Sequence, residues 1–219
     1  MKSYQWEELL NNDEFQTGDI LLIQHKKQYS NLFELFISFF DMLITTFSKS
    51  EYTHAAIIVK DPDFVDPPLK GLYILESGFE TFPDAENNTY KVGAELEDFT
   101  KVMNSLKGSN VYYRKLVCER DETFYNNLKK AHTDLHNKPY DILPTDWLKA
   151  VLHLNIGDTQ SKNRFWCSAL VAYVYVCFGF LPKDTPWTIV SPKMLGTEHP
   201  DKYDLKFENC SLEKEIKIL

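Results

Sequence analysis

Residues Phe165 to Pro182 form a stretch of 18 residues without a charged side chain, closed by Arg164 and Lys183. A segment that apolar must either cross a membrane or be buried inside a domain. Eighteen residues is the lower limit for a spanning helix, and this one holds Cys167, Ser168 and Gly179. A helix buried within the domain and ending at Gly179 is therefore expected, with no transmembrane span. The other apolar segment, Leu32 to Phe47, carries Glu34 and Asp41 and is too short and too charged to span.

Cys167 stands where the polar segment Asp158 to Arg164 gives way to this helix pattern. Backbone N–H groups and the positive end of the dipole at a helix start favour a thiolate, the nucleophilic form of cysteine. The plainer reading is a small buried hydrophobe, the usual fate of a free cysteine. Far upstream, Tyr52-Thr53-His54-Ala55-Ala56-Ile57-Ile58-Val59 puts a histidine at the mouth of an apolar strand, where it can serve as a general base. Glu76 ends the strand Tyr73-Ile74-Leu75-Glu76 and is the candidate for the polar group that orients the imidazole, unless it simply emerges into solvent.

The 219 residues carry a net charge of −8, with no Lys/Arg run and no basic helix face. Nucleic acid and an anionic membrane are thus poor partners for the surface as a whole. Cysteines fall at 118, 167, 177 and 210, without a C-x-x-C pair, so neither a zinc knuckle nor a disulfide scaffold is indicated. The N-terminus has no apolar h-region, so no secretory signal is expected. These features lead to a cytoplasmic or virion-associated reading, in a reducing environment that suits a working thiol.

Neither repeats nor a linker interrupt the chain, which reads as a single domain over 1–219 with a core of about 15–195. Expected elements are a short helix at Trp6–Asn11, strands at Ile20–His25, His54–Lys60 and Leu72–Ser77, and an extended piece at Tyr90–Glu95. A short helix over Asp98–Ser105, a strand over Val111–Val117 and a helix over Asp121–His136 follow. That last helix has the apolar face Phe124, Leu128, Ala131 and Leu135. Further helices are expected over Asn31–Phe47 and around Trp147–Leu152, and the tail is weakly patterned. Strands dominate the first half and helices the second, an α+β layout in which a mostly antiparallel sheet meets the helix carrying the cysteine.

Several short motifs recur in a defined order: Thr17-Gly18-Asp19-Ile20, Tyr52-Thr53-His54-Ala55-Ala56-Ile57, Glu76-Ser77, Lys138-Pro139-Tyr140-Asp141, Trp166-Cys167-Ser168 and Val190-Ser191-Pro192. Together they resemble the circularly permuted, NlpC-type papain-like cysteine hydrolases of the YiiX/YebB-like branch. The resemblance implies a permuted papain-like fold, with Cys167 as nucleophile, His54 as base and Glu76 as the residue orienting the imidazole. It also implies that the Tyr140 hydroxyl helps bind the substrate carbonyl, and that Asp19 belongs to a structural turn. Ala169 departs from the glutamate that many members carry after Cys-Ser.

The function expected is that of a thiol hydrolase or acyltransferase (a peptidase, amidase or lipid acyl hydrolase) acting on an amide or ester bond through a thioester. The near-continuous Phe/Leu face of Leu32–Phe47 is either ordinary core or the lining of an acyl-chain groove, so peptide and lipid substrates stay open, as does peripheral membrane contact. A non-catalytic binding or virion-structural module is the alternative. No cofactor is indicated. His132 and His136 lie four apart on a predicted helix, a spacing that suits a metal pair, but no glutamate sits between them and no third ligand is visible, so no metal is assigned. His25, His153 and His199 have no evident partner.

Overall fold

The computed structural model describes residues 5–25, 51–79, 82–136, 138, 160, 165–197 and 205–219. In chain order the elements are α1 (Trp6–Asn11), β1 (Ile20–Gln24), β2 (His54–Lys60), β3 (Leu72–Phe79), β4 (Val92–Asp98), α2 (Phe99–Ser105), β5 (Asn110–Arg114) and β6 (Leu116–Val117). Then come α3 (Glu122–Leu135), α4 (Cys167–Phe178), β7 (Ser211–Leu212) and β8 (Ile216–Lys217), with two 3-10 turns at Trp187–Ile189 and Pro192–Leu195.

Among the described residues, six strands form one antiparallel sheet in the order β4-β3-β2-β1-β5-β8. The protein is thus α+β, with a mostly antiparallel sheet. The central strands are apolar on both sides because both sides are covered: β1 is buried from Ile20 to Ile23 and β2 from Ala55 to Val59. One face (Leu22, Ala55, Ile57, Leu75, Leu96) packs against α4, which in turn packs on α3. The other (Leu21, Ile23, Ala56, Ile58, Ile74, Val111, Tyr113) packs under Trp6, Phe15, Phe99 and Ile218. Each fully buried Leu, Ile or Val side chain among them contributes roughly 1.5–3 kcal/mol.

Most of the apolar stretch Phe165–Pro182 is a buried helix. α4 has ten of its twelve residues buried and stops at Gly179, which takes the left-handed conformation (φ 77°) that glycine adopts without strain. No helix among the described residues is long and apolar enough to cross a membrane. α3 follows the expected pattern: the Asp121 side chain accepts the Phe124 N–H at 2.8 Å, and Phe124, Leu128, Ala131 and Leu135 are buried.

Three elements differ from expectation. The extended piece placed at Tyr90–Glu95 starts at Val92 and runs on to Asp98, so Glu97 belongs to a strand, and Asp98 caps α2 by accepting the Lys101 N–H at 2.9 Å. The strand placed at Val111–Val117 is broken at Lys115. The Leu116 N–H goes to Asp19 Oδ1 (2.9 Å) and not to a ladder, and the chain leaves the sheet to pair β6 with β7. The weakly patterned tail supplies β8, the edge strand beside β5. The helices expected at Asn31–Phe47 and Trp147–Leu152 lie outside the described residues.

Candidate active site

β2 begins with His54, whose register partner on β1 is Ile23. Continuing the β2–β3 ladder from Ile57↔Leu75 places Glu76 two positions along and on the same face as His54, a diagonal neighbour. Gly78 stands opposite His54, and a Cβ there would lie 3.7 Å from the imidazole Cε1, so the ring rests against bare backbone. The geometry follows from the alternation of β3, which turns Glu76 towards His54 and Ser77 to the other side.

Ser77 uses that other side to fix the helix. Its Oγ donates to the Phe165 carbonyl at 2.7 Å, and Ser168 Oγ donates to the Val190 carbonyl at 2.7 Å. These two buried bonds tie the start of α4, and with it Cys167, to β3 on one side and to the segment after the 3-10 turn Trp187–Ile189 on the other. No side chain caps the helix at Trp166, so its first N–H groups, including that of Cys167, have no intrahelical acceptor.

Cys167, His54 and Glu76 are therefore brought together. His54 Nε2 pairs with Glu76 Oε2 in a very short contact. The Cys167 sulfur lies beside the same imidazole. Cys167 is 3% exposed and Glu76 8%. Burial alone would push the His54 pKa down, but the Glu76 carboxylate and the Cys167 sulfur beside it outweigh that and hold it well above the ordinary histidine value. Burial likewise opposes ionisation of Glu76, yet His54 and a hydrogen bond from Glu97 hold its carboxyl below the usual range. The favoured state is an imidazolium–carboxylate pair.

Two further residues join this cluster. Glu97, on the same face of β4, is pushed up to about 9, first by burial and then by the charge and hydrogen bond of Glu76. It is a neutral acid that donates to Glu76 while its Oε1 accepts the Phe82 N–H at 2.9 Å. His25 lies just past β1, its ring centroid 6.1 Å from that of His54 and its Nδ1 3.1 Å from Thr53 Oγ1. Burial, then the charge of His54, lowers it to about 4, so it is neutral near pH 7. The signal for Glu97 was the alternation Glu95-Leu96-Glu97, two acids on one face of an extended segment. That signal was hidden by ending the strand at Glu95.

Asp19 is buried at the opposite end of β1. It accepts the N–H groups of Gln16 (2.8 Å) and Leu116 (2.9 Å), the Tyr113 hydroxyl (2.7 Å) and Arg120 Nη2 (3.2 Å). Its role is structural. Gly18 before it has φ 96°, and a Cβ there would fall 2.7 Å from Leu116 Cδ2, so only glycine fits this turn. A surface groove of about 450 Å³ opens beside Lys60, Phe64 and Tyr125, at the far end of β2 from His54. Tyr140 lies outside the described residues, as do His153 and His199.

The described residues thus define an α+β protein with a buried Cys–His–Glu cluster at one end of its sheet. No protein-family model matches the chain. It is 28% identical over 123 residues to peptide chain release factor 2 of Aliarcobacter butzleri (strain RM4018), a match that takes in 50% of this chain and 33% of that protein. The chain therefore spans about a third of the length of the curated relative it matches. Among solved structures it is similar to metalloprotein YiiX from Escherichia coli O157:H7, at 15% identity and a TM-score of 0.48, over 92% of this chain and 97% of that one.

Proposed function

We propose that the chain is a cysteine-dependent hydrolase or acyltransferase of permuted papain-like architecture, acting on an amide or ester bond through Cys167, His54 and Glu76. The observation that carries this reading is the contact of the Cys167 thiol, at the first residue of a helix, with an imidazole whose Nε2 is held by a buried carboxylate. The chain order His–Glu–Cys is the one a permuted papain-like enzyme would have.

In the proposed reaction the Cys167 proton has passed to His54, giving the imidazolium that Glu76 holds, and the thiolate attacks the acyl carbonyl carbon, placing negative charge on its oxygen. The Cys167 backbone N–H is the first candidate donor to that oxyanion, a contribution of about 3 kcal/mol. Collapse expels the leaving amine or alcohol, which takes its proton from His54, and leaves a thioester on Cys167. Water or another acceptor then gives its proton to His54 and takes the acyl group. Glu76 stabilises the imidazolium at each stage, and Glu97 keeps Glu76 aimed. Four free thiols suit the reducing, cytoplasmic or virion-associated setting proposed with this activity.

The competing reading is a binding or virion-structural module that keeps the fold, and the depth of Cys167 favours it. Treating the purified chain with a thiol-reactive acyl electrophile and mapping the adduct by mass separates the two. An adduct on Cys167 that disappears in His54→Ala supports the enzyme, and an inert Cys167 in folded protein sinks it. Offering a fatty-acyl ester series beside short D- and L-peptides then assigns the acyl class. Turnover that survives Cys167→Ala belongs to another site.

A further inference from the structure

Away from the thiol, three side chains with metal-ligating chemistry meet where the last turn of α3 faces the connection between β3 and β4. His132 and His136, one helical turn apart, approach the same carboxylate, with His132 Nε2 2.7 Å from Glu86 Oε1 and His136 Nδ1 3.3 Å from Glu86 Oε2. One ligand atom from each residue lies within 4.8 Å of the other two. The third ligand that the helix itself lacks comes from 46 positions upstream.

The surroundings hold this set in place. Asp84, fully buried, accepts the N–H of Glu86 (3.1 Å) and of Leu96 (3.3 Å) on Oδ1. Its backbone N–H and carbonyl bond Thr89 and Asn88 at 3.0 and 2.8 Å, so the turn carrying Glu86 is tied to β4. Lys91, the neighbouring cation, is ion-paired with Asp84. Phe64 packs on the His132 ring at a centroid distance of 4.6 Å. Glu86 and His132 are 12% and 10% exposed, whereas His136 is 38% exposed, which leaves solvent access on its side.

We propose that Glu86, His132 and His136 form a binding site for a divalent ion of the zinc class, which clamps the end of α3 to the β3–β4 connection. Two imidazoles and one carboxylate select a borderline transition ion, since calcium and magnesium require mostly oxygen ligands. Bonds of about 2.0–2.1 Å in a tetrahedral set put ligand atoms about 3.3 Å apart, so the metal takes the place of the His132–Glu86 hydrogen bond and the 2.7 Å contact opens slightly. Water from the His136 side completes the coordination. The site stands independently of the chemistry proposed for Cys167.

The test uses the full chain stripped with a chelator, titrated with zinc chloride by calorimetry and with cobalt(II) chloride by absorption. One equivalent should bind in the micromolar range or tighter, raising the melting temperature and giving visible cobalt bands without a thiolate-to-cobalt charge-transfer band. His136→Ala, at an exposed position, and Glu86→Gln should each weaken binding by roughly 100-fold or more, beyond the 10–100-fold typical of outer ligands. Their metal-free melting curves report whether they fold like the parent. Cys167→Ala should leave affinity and spectrum unchanged. Absence of micromolar binding, equal affinity in His136→Ala, or a charge-transfer band that vanishes in Cys167→Ala would each overturn the proposal.

Discussion

The Ser77 hydroxyl donates to the carbonyl of Phe165 across 88 positions of sequence, and this buried 2.7 Å bond joins the strand that carries Glu76 to the segment that delivers Cys167. Ser77 and Glu76 are consecutive, so strand alternation sends one to the imidazole and the other to the helix start. Orientation of the base and placement of the thiol thus share one stretch of backbone.

Ser77→Ala would leave the Phe165 carbonyl without its donor in the core. A loss of about 1–3 kcal/mol in unfolding free energy is expected. Alkylation of Cys167 should slow as its helix start loosens. Urea denaturation and timed iodoacetamide labelling of the same variant measure both effects. Unchanged labelling would show that Ser77 serves stability alone.

Cys167 should be the first of the four cysteines to react with limiting iodoacetamide at pH 6–7, although it is the most buried. Burial pushes Cys210 up to about 11 and raises Cys118, so their greater exposure gives them little thiolate. Cys167 lies beside the His54 imidazole. His54→Ala should slow its labelling by roughly 10–100-fold. Peptide mapping that finds all four labelled equally in folded protein would remove the nucleophile assignment.

Cys167 and His54 were legible in the sequence because each sits at a boundary where its type is out of place: a thiol opening an apolar helix, an imidazole opening an apolar strand. Glu76 was legible as a carboxylate after an apolar run, although it does not end the strand as expected, since β3 continues to Phe79. Glu97 was not, since its significance depends on β4 lying beside β3, a pairing that local pattern does not reveal. Glu215 was hidden for the same reason. It sits in the weakly patterned tail, yet accepts from the Tyr52 hydroxyl (3.1 Å) and the Thr197 hydroxyl (2.6 Å) and lies 3.8 Å from Arg114 Nε. Long-range polar partners leave no periodicity. Asp19 was read as a turn residue, and the structure adds why: it gathers four donors where β1 begins.

Asp19→Ala should accordingly be a stability variant. Removing this carboxylate strands the Leu116 N–H and takes one bond each from Tyr113, which keeps the Glu14 carbonyl, and Arg120, which keeps the Thr17 and Leu116 carbonyls, at a cost of about 3 kcal/mol. Where the variant is folded, labelling of Cys167 should match the parent, because Asp19 is at the far end of β1 from the strand position paired with His54. Labelling abolished in folded Asp19→Ala would contradict the purely structural role.

Glu97 gives the pH prediction. Its folded pKa of about 9 lies above the ordinary 4.5, so its contribution to stability is complete below 4.5 and declines as pH rises through 9. His54, also raised, contributes fully below 6.5 and loses that contribution as pH rises through its elevated folded value. Glu76, lowered, has the opposite sign: its contribution is present above 4.5 and disappears as pH falls through its folded value. Glu97→Gln isolates the first of these. The amide can donate to Glu76 and accept from Phe82 as the protonated acid does, but it does not titrate. The variant should therefore gain stability relative to the parent steadily between pH 5 and 9, while Cys167 labelling near pH 6 stays within about twofold. Urea midpoints of both proteins across that range measure the gap, and a gap that does not change with pH would mean that Glu97 is ionised in the folded protein.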